Sequence, residues 1–437
     1  MSKFDDQQID STRRTILGLA GVAAAGSALS VVAQAQSTAP SKATTPQTGV
    51  GVSGPLKSAG VLTFGANDVL FVGDIAGTAV HAFALRPTDV TSQHDVKMGN
   101  FHNFEGRDLV RGLDVKLAGL FATTYDNIVV NDMVVHQSSQ QIFISVERGR
   151  STDAIPAIVK VNRGELEILD LSPIPHTQVA IPNLPDPKAM LEFEPQRNYA
   201  ITDVKYHDGE IFVTGVSNQR FASTLHRIPY PFTPQLESCT VEIWHPVHGE
   251  WETRAPIIRQ LIKDVGGVPY LFAVYGCTPL VRFPLAALKD GAHVRGEVIG
   301  ELGYGSNPLD MLSFTDPFDK KEYLLVTIDV RSASRIAVLD LATAPPEPSD
   351  VPINFGPSGL GRTQGLLPII ADHFAILNPN WAVEIHRHQK TGYRLDISTL
   401  ALPYFFERRD GMAEMNWPGA PDPFGYGAHR GEIARGI

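Results

Sequence analysis

An apolar triplet recurs six times along this 437-residue chain, in most cases directly after a polar or glycine-bearing turn. Another apolar run precedes each turn and a third follows each triplet, so every unit holds three short segments rich in Val, Ile and Phe. Segments of this kind predict β-strands. The triplets are Leu70–Val72, Ile142–Ile144, Ile211–Val213, Leu271–Ala273, Leu324–Val326 and Phe374–Ile376. The repetition predicts an all-β fold of like units, each a three-stranded meander with room for a fourth strand.

A unit of four short strands cannot bury both of its faces alone, so such units stack around an axis, as in a β-propeller. We therefore predict a six-bladed β-propeller over residues 56–402, with four-stranded antiparallel blades around a central channel. A seventh blade would have to occupy Glu165–Arg197, where frequent prolines disfavour regular strands. Two packed sandwiches are the competing fold, which the uniform order of the units disfavours. We expect Tyr393–Leu402 to close the ring by pairing with the first unit.

Three of the predicted inner strands carry an aspartate at the same position near their start. These residues are Asp132, Asp203 and Asp310. Carboxylates that converge on an axis from several blades are hard oxygen ligands, suited to Ca²⁺ or Mg²⁺. The alternative is structural, because aspartates at one repeated position also serve as acceptors for backbone hydrogen bonds. Both interpretations stay open at this point.

The loops between the second and third strands should open on the same face of the propeller as these aspartates. They vary between units, and variation within a repeat is where a binding site is expected. Arg148, Asn218 and Arg331 lie in these loops and are candidate ligand-binding residues. The arginines could hold a carboxylate or phosphate in two-pronged fashion, or could pair with Glu147 and Asp329 beside them.

The spacing of the six units resembles that of six-bladed propellers with long blades, of the NHL or senescence-marker type. In senescence-marker and paraoxonase-type propellers, Glu, Asn and Asp at the inner-strand entries hold a calcium ion that serves lactone or ester hydrolysis. The resemblance therefore implies a metal-dependent hydrolase with a site at Asp132, Asp203 and Asp310. This sequence departs from that set because no Glu occupies an equivalent entry.

A second candidate metal site consists of His245, His248 and Cys277. Two imidazoles three residues apart across a turn, with one thiolate, would suit copper or zinc. Two solvated histidines in a surface turn are the alternative. Cys277 could instead form a disulfide with Cys239, which an oxidising compartment would permit.

The first thirty-five residues predict export by the twin-arginine route. Arg13 and Arg14 follow a Ser-Thr pair and precede a weakly apolar stretch that ends in the small-x-small motif Ala33–Ala35. We expect cleavage after Ala35 and a periplasmic location. Residues 36–55 are then a flexible linker and residues 403–437 a tail rich in Gly, Pro and aromatic residues.

The formal net charge of −10 is the reverse of what a nucleic-acid-binding surface requires. We expect a monomer without a membrane span in its mature chain, whose partner is a small molecule or a periplasmic protein. Walker, Gly-x-Ser-x-Gly, His-Glu-x-x-His and Cys-x-x-Cys motifs are absent. Three functions stay open: a metal-dependent lactone or ester hydrolase, a non-catalytic binding scaffold, and an oxidoreductase that uses copper or a bound quinone.

Overall fold

The computed structural model describes most of the chain from residue 54 to residue 402. The described ranges are 54–103, 105–150, 153–191, 194–303, 305–329, 332–349, 358–363, 365–367, 371–388 and 394–402. The predicted signal peptide, all but the last two residues of the linker, Arg331 and the tail lie outside them. Export, cleavage and the domain boundaries therefore stay predictions.

Six antiparallel units of four strands account for most of the described chain, and we number them by the order of their inner strands. The inner strands are Leu62–Phe64, Ile128–His136, Asp203–His207, Ile257–Val265, Pro308–Thr315 and Ala371–Asn378. The second strands are Val69–Asp74, Gln141–Arg148, Glu210–Val216, Val268–Tyr275, Glu322–Ile328 and Trp381–His388. The third strands are Ala79–Ala84, Ile155–Asn162, Ser223–Pro229, Pro279–Pro284, Ser332–Ala337 and Arg394–Ala401. The outer strands, in the same order, are His176–Ala180, Glu165–Ile168, Glu237–His245, His293–Glu301, Gly365–Leu367 and Asp108–Val110.

The remaining elements are short. The additional strands are Gly99–Asn100, Glu105–Gly106, Met190–Leu191, Glu194–Pro195, Glu250–Glu252 and Ser358–Gly359. The α-helices are Leu113–Leu120, Val338–Thr343 and Leu360–Thr363, and the 3₁₀ turns are Ala66–Asp68, Phe101–Asn103, Tyr125–Asn127, Gln196–Tyr199 and Leu285–Ala287. Within the described ranges, no helix has the length and apolar character needed to cross a membrane.

The inner strands form a closed ring in which each contacts the inner strands of two neighbours. The order around the ring is unit 2, unit 1, then units 3 to 6, so unit 2 lies between unit 6 and unit 1. Each of the six junctions holds its own cluster of buried apolar side chains. The burial of apolar side chains between neighbouring units, and not within a single sheet, therefore stabilises the ring. The all-β propeller prediction is confirmed.

The segments directly before and after unit 2 in the chain supply the outer strands of the two units that flank it in the ring. His176–Ala180 follows unit 2 in the chain but is the outer strand of unit 1, paired with Ala79–Ala84. Asp108–Val110 precedes unit 2 but pairs with Arg394–Ala401 as the outer strand of unit 6. The expected pairing of Tyr393–Leu402 with the first unit is wrong, because this segment is the third strand of unit 6.

Two further sequence assignments need correction. Phe374–Ile376 lies in an inner strand, whereas the other five triplets lie in second strands. Leu366 belongs to the outer strand of unit 5, so the repeat is one strand out of phase in the last unit. The interval Glu165–Arg197 supplies the outer strands of units 1 and 2 and forms no blade of its own. Units 3 and 4 also join edge to edge, since their outer strands pair in parallel.

Candidate functional site

The three predicted aspartates lie on the inner strands of units 2, 3 and 5 and are buried. Asp132, Asp203 and Asp310 are exposed by 9%, 1% and 8%. Asp132 and Asp310 are close enough for their charges to interact, and Lys205 and Arg259 interact electrostatically with Asp132 as well. Lys205 interacts electrostatically with all three aspartates. We call the group Asp132, Asp203, Lys205, Arg259, Asp310 and His373 the hub.

Each hub aspartate accepts two backbone hydrogen bonds. One comes from the next residue of its own strand, at 2.8 to 2.9 Å. The other comes from the inner strand of a neighbouring unit: Leu62 N–H donates to Asp132 (2.7 Å), Gln260 N–H to Asp203 (2.8 Å) and Phe374 N–H to Asp310 (2.9 Å). These bonds join unit 2 to unit 1, unit 3 to unit 4 and unit 5 to unit 6. The aspartates therefore have the structural role that the sequence offered as an alternative.

A β-bulge precedes four of the six hub residues. In the pairing of an inner strand with its second strand, the residues at these bulges have no residue opposite them: Asn131, Ile258, Leu309 and Asp372. A bulge adds one residue to a strand, and so changes which side chain faces which way. The residues that follow these bulges are Asp132, Arg259, Asp310 and His373. The repeated irregularity thus accompanies the placement of charged side chains at the hub.

Two cations in the hub were not predicted. Lys205 Nζ lies 3.3 Å from Asp203 Oδ1. Burial alone would lower the pKa of Lys205, but the surrounding aspartates, Asp203 first, outweigh burial and raise it. Arg259 donates hydrogen bonds to the carbonyl oxygens of Leu309 (2.8 Å), in the inner strand of unit 5, and of Thr202 (3.3 Å), directly before the inner strand of unit 3. Alternation could have identified Lys205, which lies two residues after Asp203 in a predicted strand.

Asp132, Asp310 and His373 form a group that could hold a metal ion, because their ligand atoms all lie within 4.8 Å of one another. His373 Nδ1 is 3.7 Å from Asp132 Oδ1 and is buried without a hydrogen-bond partner among the residues that the structure describes. Burial raises the pKa of Asp132, and the neighbouring Asp310 adds to this, against the opposing effect of His373. Asp203 is not in this group and pairs with Lys205.

The loop residues predicted to surround the hub are less informative. Asn218 is exposed, and its N–H donates to the carbonyl of Asn183 (2.8 Å). Arg148 is half-buried at the end of its strand, and forms no ion pair with any residue that the structure describes. Arg331 lies outside the described residues. The carboxylates that the sequence paired with the arginines have other partners: Glu147 accepts from Ala59 N–H, and Asp329 from the amide groups of Asn307.

The second predicted metal group is brought together in part. His245 and His248 lie side by side, with ring centroids 4.2 Å apart. The third residue within ligand distance is Glu252 and not Cys277, so that part of the prediction is wrong. Cys277 lies instead in the turn before the strand Pro279–Pro284. Cys239 and Cys277 do not form a disulfide.

No protein-family model matches the chain, and no curated protein matches it. Solved structures similar to it include a chain of the mitotic checkpoint complex (8% identity, covering 85% of this chain and 99% of that one, TM-score 0.30). A gluconolactonase from Xanthomonas campestris shares 12% identity over 80% of this chain and 88% of its own, with a TM-score of 0.26. A protein of unknown function from Dyadobacter fermentans shares 10% sequence identity over 80% of this chain and 95% of its own, with a TM-score of 0.30. Likeness at these scores says nothing of what this chain binds.

Proposed function

We propose that the protein is an exported β-propeller that binds a divalent metal ion at the hub and hydrolyses a small lactone or ester there. The observation that carries the proposal is the convergence of Asp132, Asp310 and His373 within ligand distance of one another. Two carboxylates with one imidazole suit a divalent transition-metal ion. Calcium, which the family resemblance implies, prefers a set made of oxygen atoms alone.

The donor atoms of this group have capacity left for a metal ion. Each oxygen of a carboxylate has two acceptor positions, and in Asp132 and Asp310 the backbone occupies one position on each oxygen. His373 Nδ1 is buried and has no hydrogen-bond partner in the described part of the chain, which is costly unless a ligand or proton acceptor reaches it. The hub has three acidic side chains against two basic ones, Lys205 and Arg259, and this excess of acidic groups favours a bound cation.

A bound divalent ion would polarise an ester carbonyl or lower the pKa of a bound water molecule. The chain's own residues supply the rest. Asp132 and Asp310 are held rigidly by the inner strands. Lys205 stays protonated beside Asp203 and places a positive charge where negative charge develops on the attacked carbonyl oxygen. Arg148, at the end of its strand, is available to bind a carboxylate of the substrate.

The test compares Asp132→Asn with Asp203→Asn. Both aspartates accept the same two kinds of backbone hydrogen bond, but only Asp132 belongs to the metal-binding group. The protein is stripped with a chelator, incubated with Zn²⁺ or Mn²⁺, and assayed for bound metal and for hydrolysis of a panel of lactones and aryl esters. Asp132→Asn should lose metal and activity together, while Asp203→Asn should keep the metal.

A non-catalytic binding scaffold is the second candidate, and one observation favours it. Each of the three hub aspartates uses one oxygen to bind its own strand and the other to bind a neighbouring unit, so the hub has a sufficient structural purpose without any ligand. On this account the wild-type protein binds no stoichiometric metal at the hub, and the two asparagine variants differ only in stability. Equal metal content in the wild type and Asp132→Asn would therefore reject the enzyme proposal.

A further inference from the structure

A second cluster of ligating side chains lies away from the hub, where units 3 and 4 join edge to edge. The outer strand Glu237–His245 of unit 3 ends at His245, and the short strand Glu250–Glu252 folds back on it. His245 is almost completely buried (1% exposed) and His248 is exposed. Glu252 Oε1 contacts both rings, at 2.7 Å from His245 Nδ1 and close to His248 Nδ1. One carboxylate oxygen thus lies between two imidazole nitrogens.

Glu301, the last residue of the outer strand of unit 4, faces the other side of the same histidine. Its side chain is fully buried, and within the described ranges neither of its oxygens has a hydrogen-bond partner. Among the described residues its ion-pair partner is His245, whose Nε2 lies 3.6 Å from Glu301 Oε2 and is itself buried without a hydrogen-bond partner. Buried polar atoms in native proteins nearly always have partners, and exceptions often mark a missing ion or water. Burial raises the pKa of Glu301 to about 9.

Charge distinguishes this cluster from an ordinary surface ion pair. Among the residues that the structure describes, no Lys or Arg forms an ion pair with Glu252 or Glu301. By contrast, Glu242 on the same pair of outer strands forms an ion pair with Arg295, with 2.6 Å between Glu242 Oε1 and Arg295 Nε. Burial alone would raise the pKa of Glu252, but its hydrogen bonds to the two histidines outweigh burial and lower it. Within the described part of the chain, the cluster therefore holds two carboxyl groups that have histidine partners but no Lys or Arg partner.

We infer that His245, His248 and Glu252 bind a divalent transition-metal ion, and that Glu301 is a positioning residue which accepts a hydrogen bond from His245 Nε2. Metal-bound histidines commonly donate their other ring N–H to a carboxylate, which fixes the tautomer and the orientation of the ring. This arrangement gives a partner to His245 Nε2 and to Glu301 Oε2, the oxygen that faces it. It also goes beyond the function proposed for the hub, because it shares no residue with it.

The coordination would be incomplete with protein ligands alone. Two imidazoles and one carboxylate are the set with which Zn²⁺ sites keep a fourth position for water or a small ligand. His248 is 44% exposed, so solvent reaches this side of the cluster. We expect an open site of this kind and not a closed structural site.

The experiment measures Zn²⁺ affinity of the full-length protein by calorimetry, in an Asp132→Asn background that removes the hub metal site. His248→Ala should weaken binding at least tenfold, and its exposure makes a loss of folding unexpected. The matched control is His293→Ala. His293 is another partly exposed histidine that lies 3.4 Å from a buried glutamate, Glu242, but it has no third ligand nearby. Equal affinity in the parent and His248→Ala would overturn the inference.

The role of Glu301 needs a second measurement. Glu301→Gln should weaken Zn²⁺ binding by about 10- to 100-fold. Because Glu301 does not touch the ion, the visible absorption bands of the Co²⁺-loaded protein should keep their shape, whereas Glu252→Gln should change them. A change in melting temperature without any change in Zn²⁺ affinity would show that Glu301 is merely structural, and would overturn its assignment.

Discussion

The hub makes a quantitative prediction about two similar substitutions, Asp203→Asn and Asp132→Asn. An asparagine has one acceptor oxygen, so either variant leaves one buried backbone N–H facing an NH₂ group. An unpaired buried donor costs about 1–3 kcal/mol. Asp203 also pairs with Lys205, whose side chain is 25% exposed, and removing one partner of a largely buried ion pair costs about 3–5 kcal/mol because the other charge loses its nearest partner.

The two variants should therefore differ in stability. We expect Asp203→Asn to lower the free energy of unfolding by about 3–5 kcal/mol. Asp132→Asn should lower it by only about 1–3 kcal/mol. The smaller loss also follows from burial, which raises the pKa of Asp132 and so makes its charge less favourable in the folded protein. Asp132→Asn should lose more metal than Asp203→Asn, because Asp132 and not Asp203 lies in the ligand group.

The assay is urea unfolding at pH 7 with a chelator present, followed by circular dichroism and by tryptophan fluorescence. Parallel samples without chelator are measured for bound Zn²⁺. If Asp132→Asn proved as destabilising as Asp203→Asn, the reasoning from the Lys205 ion pair would be refuted. If Asp203→Asn lost the metal, the proposal that Asp132, Asp310 and His373 bind the metal while Asp203 only stabilises the fold would be refuted.

Three further predictions concern other parts of the chain. Burial raises the pKa of Glu384 to about 8, so the folded state holds this proton more tightly than the unfolded state does. The free energy of unfolding of the wild type should therefore fall between about pH 5 and pH 8. In urea titrations at several pH values, Glu384→Gln should remove about 1.4 kcal/mol per pH unit of that fall. Replacing Arg13 and Arg14 by lysines should leave the protein in the cytoplasmic fraction, and a periplasmic double variant would refute twin-arginine export. Cys277→Ser should leave Zn²⁺ affinity unchanged, since Glu252 takes the place once predicted for this cysteine; a tenfold loss would contradict the geometry.

The strand pattern could be predicted from the sequence for five of the six units. The triplet Ile142–Ile144 and its counterparts in four other units lie in second strands, because a short continuous apolar run, buried on both faces of a sheet, has a local signature. Phe374–Ile376 was assigned to the wrong strand. The outer strands of units 1 and 6 come from the far ends of unit 2, and such long-range pairings leave no local signal.

The candidate sites were predictable to different degrees. Repetition at one position was enough to find Asp132, Asp203 and Asp310. Arg259 and His373 escaped notice because β-bulges set their direction, and a bulge depends on pairing with the neighbouring strand. Glu301 could not have been linked to His245, since a parallel pairing between two units brings them together.

The most direct test of the hub is an anomalous difference map from crystals of the protein grown with Zn²⁺ and measured at the zinc absorption edge. The account predicts a peak bounded by Asp132, Asp310 and His373 at the centre of the ring of inner strands. An ordered hub without a peak, or aspartates that point away from the axis, would contradict it.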